Sequence, residues 1–170
     1  IGNGVGQMFR SLPAAGSLGA VSNENLYASA FTNGRYRVEM DFDSWALAPA
    51  NAGIMEFRVC NGNNSSLASI RLNAQYSWVQ FVGRENGSLA YNTYGISLTN
   101  ELGLTAAIEF DFENETIEYF LDGIPKKTNV FVEAGFNQVQ FITQTGWSSN
   151  NLVKINEMGV SLLSGDVAVP

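Results

Sequence analysis

Glu109, Asp111 and Glu113 stand at alternate positions in the stretch Glu109-Phe110-Asp111-Phe112-Glu113. On an extended strand that spacing aims three carboxylates from one face. Two carboxylates facing each other across a bond are the constellation that cleaves glycosides, one as acid and one as nucleophile or base. Glu39, Asp41 and Asp43 repeat the spacing less well. Each acid alternates with an apolar residue, so the plainer reading is the solvated face of a half-buried strand. A second set carries binding chemistry: Arg58, Arg71, Trp78, Gln80, Gln140, Gln144 and Trp147. An indole is a flat apolar platform, and Gln and Arg add directional hydrogen bonds. That combination suits a pyranose, which has apolar C–H faces and a rim of hydroxyls. Two arginines on one face would also suit a sugar carrying sulfate or carboxylate.

Absences narrow the chemistry. The 170 residues include no His, which excludes Ser-His-Asp and Cys-His catalysis and removes the commonest zinc ligand. The single Cys, Cys60, allows no intrachain disulfide and reads as a small buried side chain. No cofactor is implied. A structural calcium held by backbone carbonyls with Asp122, Glu157 or Asp166 is compatible with the chain, although no EF-hand loop is present. Nine Lys+Arg against 16 Asp+Glu give a net charge of −7. That balance argues against a partner that is nucleic acid. No apolar run is long enough for a membrane span. Asn63, Asn64, Asn86 and Asn114 sit in Asn-x-Ser/Thr frames, which a chain this rich in Asn, Ser and Thr produces by chance.

The elements that must position these residues are strands. Tyr36, Val38, Met40 and Phe42 alternate with charged residues. So do Met55, Phe57 and Val59; Ile70 and Leu72; Ile108 and Phe110; Ile117, Tyr119 and Leu121; and Val139 and Phe141, with polar partners throughout. Further strands are expected near 5–10, 26–31, 76–82, 88–94, 128–133 and 152–163. Asn33-Gly34, Asn61-Gly62, Asn86-Gly87 and Asp122-Gly123 supply turns. No window carries a helical stripe. The Gly/Ala/Ser-rich residues 11–25 read as a loop. A chain of this length makes one domain spanning 1–170, and about a dozen short strands make two packed antiparallel sheets.

The segment Leu104–Lys127, LTAAIEFDFENETIEYFLDGIPKK, resembles the hairpin of concanavalin A-like jelly rolls of laminin-G and legume-lectin type, with Phe120-Leu121-Asp122-Gly123 at its turn. Gly34–Phe42 with Gly53–Val59 resembles an early strand pair of that fold, and Gln138–Trp147 a late strand of its concave sheet. The resemblance spans most of residues 34–163. It implies an all-β, two-sheet antiparallel β-sandwich with ligands on the outer face of the concave sheet. Glycosidases of the fold carry their acidic triplet on a strand well before the Asp-Gly hairpin. Here the triplet lies inside that hairpin, and the matching strand, Ser66–Asn73, has no carboxylate.

Three functions follow as expectations. The first is a secreted, non-catalytic, lectin-like module binding a glycan or polysaccharide. The second is a structural subunit of an extracellular filament or matrix, self-associating by strand exchange through residues 1–10 as an edge or donor strand. The third is a polysaccharide lyase or glycosidase working without His. The first two place the chain outside the cell or at its surface.

Overall fold

The computed structural model describes residues 21–46, 54–61, 65–73, 78–85, 88–95, 102–130, 135–143 and 152–164. Among them there is no helix, and so none long and apolar enough to cross a membrane. The strands are β1 (Val21–Phe31), β2 (Arg35–Ala46), β3 (Ile54–Cys60), β4 (Ser66–Asn73), β5 (Trp78–Glu85), β6 (Ser88–Gly95), β7 (Leu102–Asp111), β8 (Thr116–Leu121), β9 (Ile124–Val130), β10 (Phe136–Thr143) and β11 (Leu152–Ser164). They form a six-stranded sheet, ordered β1-β10-β3-β4-β5-β6, and a five-stranded sheet, ordered β11-β2-β7-β8-β9. All pairings are antiparallel. This is a β-sandwich of jelly-roll type.

The alternation read from the sequence decides which side chains are inside. Val38, Met40, Phe42, Phe57, Ile70, Phe81, Ile108, Phe110, Ile117, Tyr119, Val139 and Phe141 all join one buried cluster between the sheets. Removing this area from water is the main force holding the sheets together. Phe136 organises one end of it, with ring centroids 4.6 Å from Phe110 and 4.9 Å from Phe31.

A polar contact crosses the sandwich. The Tyr119 hydroxyl on β8 donates to the Val82 carbonyl on β5 at 2.8 Å. Gly83 makes room for it: a Cβ at this position would stand 2.6 Å from the Tyr119 oxygen and 2.8 Å from Asn129 Nδ2. The absent side chain is therefore part of the packing between sheets.

The turns follow local chemistry. Asp122 (φ 51°) and Gly123 (φ 72°) both take left-handed backbone, as a two-residue hairpin joining twisted strands requires. Residues 112–115 form the β7–β8 turn, so Glu113 does not share a strand face with Glu109 and Asp111. The Asp111 carboxylate accepts from Glu113 N (3.1 Å), Asn114 N (2.9 Å) and Asn114 Nδ2 (2.8 Å). The Asn114 bonds are the chief reason its carboxyl is held below the usual range.

Several boundaries differ from the sequence reading. β1 begins at Val21, where a loop was expected to reach residue 25; the ladder to β10 orders a stretch whose own alternation is weak. β9 occupies Ile124–Val130 rather than 128–133. The tight turn starts it at once, and its edge position with a register shift at Phe120 tolerates Pro125. β7 starts at Leu102, ahead of its first clear alternation. The expected strand near 5–10, the 1–10 donor segment and residues 11–20 lie outside the described residues.

Tyr119→Phe should cost about 1 kcal/mol in urea unfolding, because a buried carbonyl loses a donor. Gly83→Ala should cost about 1–3 kcal/mol through overpacking. The double variant should cost less than the sum of the two, because removing the hydroxyl makes space for the methyl. Strict additivity would contradict this packing.

Candidate functional site

Cross-strand register arranges the outer face of the six-stranded sheet in rows, because directly paired residues point to the same side. One row runs Gln140, Arg58, Ser69, Val82, Tyr91 across β10, β3, β4, β5 and β6. The next runs Ile142, Glu56, Arg71, Gln80, Thr93. Trp78 stands two residues from Gln80 on the same side and pairs with Asn73. Arg84, paired with Leu89, continues the pattern at the other end of β5. Five of the seven sequence-selected residues, Arg58, Arg71, Trp78, Gln80 and Gln140, thus share one face. Gln144 and Trp147 lie outside the described residues.

Glu56 is the keystone of this face. It is fully buried, yet Arg58 Nη2 lies 2.9 Å from one carboxylate oxygen and Arg71 Nε lies 3.0 Å from the other. Burial pushes the carboxyl up. The Arg58 hydrogen bond, the charges of Arg58 and Arg71, and the Ser69 hydroxyl outweigh that and hold it below the usual carboxylate range. A buried charge is tolerated only when paired in this way.

The surrounding groups are also fixed. The Arg71 guanidinium lies over the Tyr91 ring, 5.4 Å from its centroid. Gln80 Nε2 donates to Thr93 Oγ1 at 3.0 Å. Arg84 Nε donates to the Ser66 carbonyl and its Nη2 to Ser65 Oγ, each at 3.2 Å. The Cys60 thiol donates to Gln140 Oε1 at 3.5 Å, and both residues are buried.

The face is closed at one end and open at the other. Gln140 is 4% exposed and Gln138 5%, so β10 supplies a floor. Arg58, Arg71, Trp78 and Gln80 are half-buried. Tyr91 is 51% exposed and Leu89 40%, both on β6. Sequence reasoning missed Tyr91, Thr93 and Arg84, and it gave Glu56 no role. The sequence reading expected only a strand near 88–94; at this edge of the sheet Leu89 and Tyr91 face outward. Glu56 looks like an ordinary solvated acid until two cations close on it.

The acidic triplets lie elsewhere. Glu109 and Asp111 on β7, and Glu39 and Asp41 on β2, occupy the outer face of the five-stranded sheet. Glu109 is ion-paired with Arg35, and with Arg37 Nη1 at 2.8 Å, while Arg37 Nε lies 2.7 Å from Glu39. Arg37 also lies 4.9 Å from the Phe120 centroid. Asp41 accepts from the Thr105 hydroxyl at 3.3 Å. Among the described residues no three His, Cys, Asp or Glu come together as a metal site. The Asp122 carboxylate is engaged by Thr105 N at 3.0 Å, and Asp166 lies outside the described residues.

Because the Glu56 carboxyl is lowered in the fold, its contribution to stability is complete above the ordinary value of 4.5. It disappears as pH falls through the lowered native value. Acid titration of the unfolding free energy should therefore be flatter below pH 4.5 in Glu56→Gln than in the wild type. Glu56→Ala, which leaves two arginines uncompensated, should cost about 3–5 kcal/mol at neutral pH. Parallel acid limbs in Glu56→Gln and the wild type would remove Glu56 from this role.

No protein-family model matches the chain, and no curated protein matches it in sequence. Solved structures do. The carbohydrate binding module CBM66 from Bacillus subtilis is similar over 94% of this chain and 96% of that one, at 14% identity and a TM-score of 0.54. The Emp46p carbohydrate recognition domain, in its potassium-bound form, is similar over 82% and 77%, at 11% identity and 0.62. A family 7 alginate lyase, A1-II', is similar over 94% and 80%, at 11% identity and 0.62. Identities this low speak to architecture alone. With two antiparallel sheets and these neighbours, the chain has the concanavalin A-like jelly-roll fold.

Proposed function

We propose that the chain is a secreted, non-catalytic carbohydrate-binding module whose ligand lies on the outer face of the six-stranded sheet. The observation that carries this reading is the open end of that face. The Tyr91 ring is exposed beside half-buried Arg71, with Gln80 and Thr93 hydrogen-bonded in the neighbouring row. An exposed ring next to fixed donors is what a sugar needs: the ring takes a C–H face and the donors take hydroxyls. Pre-organisation by the Gln80–Thr93 and Arg–Glu56 contacts reduces the side-chain ordering lost on binding.

In this reading Arg58, Arg71, Trp78 and Gln80 contact the glycan together with Tyr91, and Gln140 shapes the floor beneath them. Solved structures of a carbohydrate binding module and a carbohydrate recognition domain on the same fold support it. The fold also serves a beta-glucanase and an alginate lyase, so the argument against catalysis comes from the residues. Glu56, the carboxylate described on this face, is buried and bonded to two arginines. A general acid needs a raised pKa and access to the leaving oxygen, and Glu56 has neither.

Tyr91→Ala should weaken binding to the cognate glycan about tenfold, the scale of one lost aromatic contact. Its urea midpoint should stay near that of the wild type, because the ring is half exposed. Glu118→Gln, on the opposite sheet, should bind as the wild type does. Calorimetry on a polysaccharide panel reads both. Unchanged affinity in Tyr91→Ala and in Trp78→Ala would rule out this face.

A further inference from the structure

We propose that Arg58, Arg71 and Arg84, which run across this face toward its open end, bind the carboxylate or sulfate group of an anionic sugar. The proposal rests on the glycan reading above and names its substrate class. Its basis is a charge contrast between the two outer faces. On the six-stranded sheet the described side chains include three arginines, one each from β3, β4 and β5, and one carboxylate, Glu56. On the five-stranded sheet the described side chains include Arg35, Arg37, Lys126 and Lys127 against Glu39, Asp41, Glu109, Asp111, Glu118 and Glu157. The chain as a whole is acidic, at −7. The described cations therefore outnumber the acid on the face that the sugar would use, and are outnumbered by acids on the other sheet.

Register fixes how the arginines are spaced. Arg58 pairs with Ser69 and Arg71 with Glu56, so the two arginines are diagonal neighbours, about 7–8 Å apart between Cα atoms. Arg84 lies one strand further on, its guanidinium folded back to Ser65 and Ser66 at the start of β4.

The orientation of each fork matters as much as its charge. Arg71 brings Nε to 3.0 Å from one Glu56 oxygen, and Arg58 donates from Nη2 to the other. Among the described residues, the two terminal nitrogens of Arg71 meet no acceptor. Both side chains remain 19% exposed. Glu56 therefore works as an anchor beneath the guanidinium groups and leaves N–H donors directed outward. A carboxylate or sulfate oxygen pair matches such a donor edge and binds through charge-assisted bonds. A neutral hydroxyl would leave part of this positive charge without a partner. Tyr91, beneath Arg71, would receive the apolar face of the same or the adjoining ring.

Calorimetry on the full chain tests this with matched ligands: a polyuronate, the same polymer after carboxyl reduction, a sulfated galactan and its desulfated form. At least one anionic polymer should bind ten times or more tighter than its neutral counterpart. Which pair shows the preference separates carboxylate from sulfate. Arg71→Gln with Glu56→Gln removes the fork together with the carboxylate beneath it, leaving Arg58 without its ion-pair partner, and should bring the preference to within about twofold. Glu56→Gln alone keeps all three arginines and should retain or strengthen it. Equal or tighter binding of the neutral polymers, or anion binding that survives the double variant, would overturn the proposal and leave the glycan reading intact. No binding to any of the four, nor to a wider neutral panel, would remove the glycan reading itself.

Discussion

A carboxylate cut off from water stays ionised only if cations replace its hydration. Glu56 is in that position at the centre of the six-stranded sheet, and Arg58 and Arg71 provide the replacement. The pairing constrains more than one charge. It fixes the two long arginine side chains on adjacent strands, it sets which nitrogens face outward, and it places Arg71 over Tyr91. Register between β3 and β4 is tied to it as well, because a one-residue slip would move Glu56 to the other side of the sheet.

The two outer faces use similar residues to different ends. On the five-stranded sheet, Arg35 and Arg37 of β2 pair across to Glu109 of β7, and Arg37 also pairs along its own strand with Glu39, so these charges are spent on one another. Glu109 has two arginines of its own, and Asp111 serves the turn that follows it. A sequence spacing that resembles a catalytic triplet thus becomes an ion-paired wall and a hairpin clasp. On the six-stranded sheet the cations outnumber the described acid, and the aromatic ring beside them is open to solvent. Between the sheets the core is apolar apart from contacts such as that of Tyr119 with the Val82 carbonyl, which Gly83 admits.

Much of the architecture was legible along the chain because a pleat deals side chains strictly by parity. Tyr36 to Phe42, Met55 to Val59 and Ile117 to Leu121 point where alternation says they must. The Asp122-Gly123 turn was equally plain, since Gly and Asp accept left-handed backbone. β1 and β9 were harder. Each is a sheet edge whose order comes from one neighbouring strand rather than from its own pattern. The polar positions Arg58, Arg71, Gln80 and Gln140 were also readable as one face. Their differing exposure was not, because exposure depends on what lies beside and above each residue, and parity carries none of that.

The sequence by itself determined that strands would form, which side chains would be buried between two sheets, and that no imidazole would take part in any chemistry. Only the tertiary structure decided which strands became neighbours. Glu56 and Arg71 are fifteen positions apart, and Arg71 and Tyr91 twenty, yet each pair meets because β3, β4, β5 and β6 lie side by side. Charge pairing, burial and the stacking of a cation on a ring act over a few ångströms, and those distances exist only once the sheets have closed.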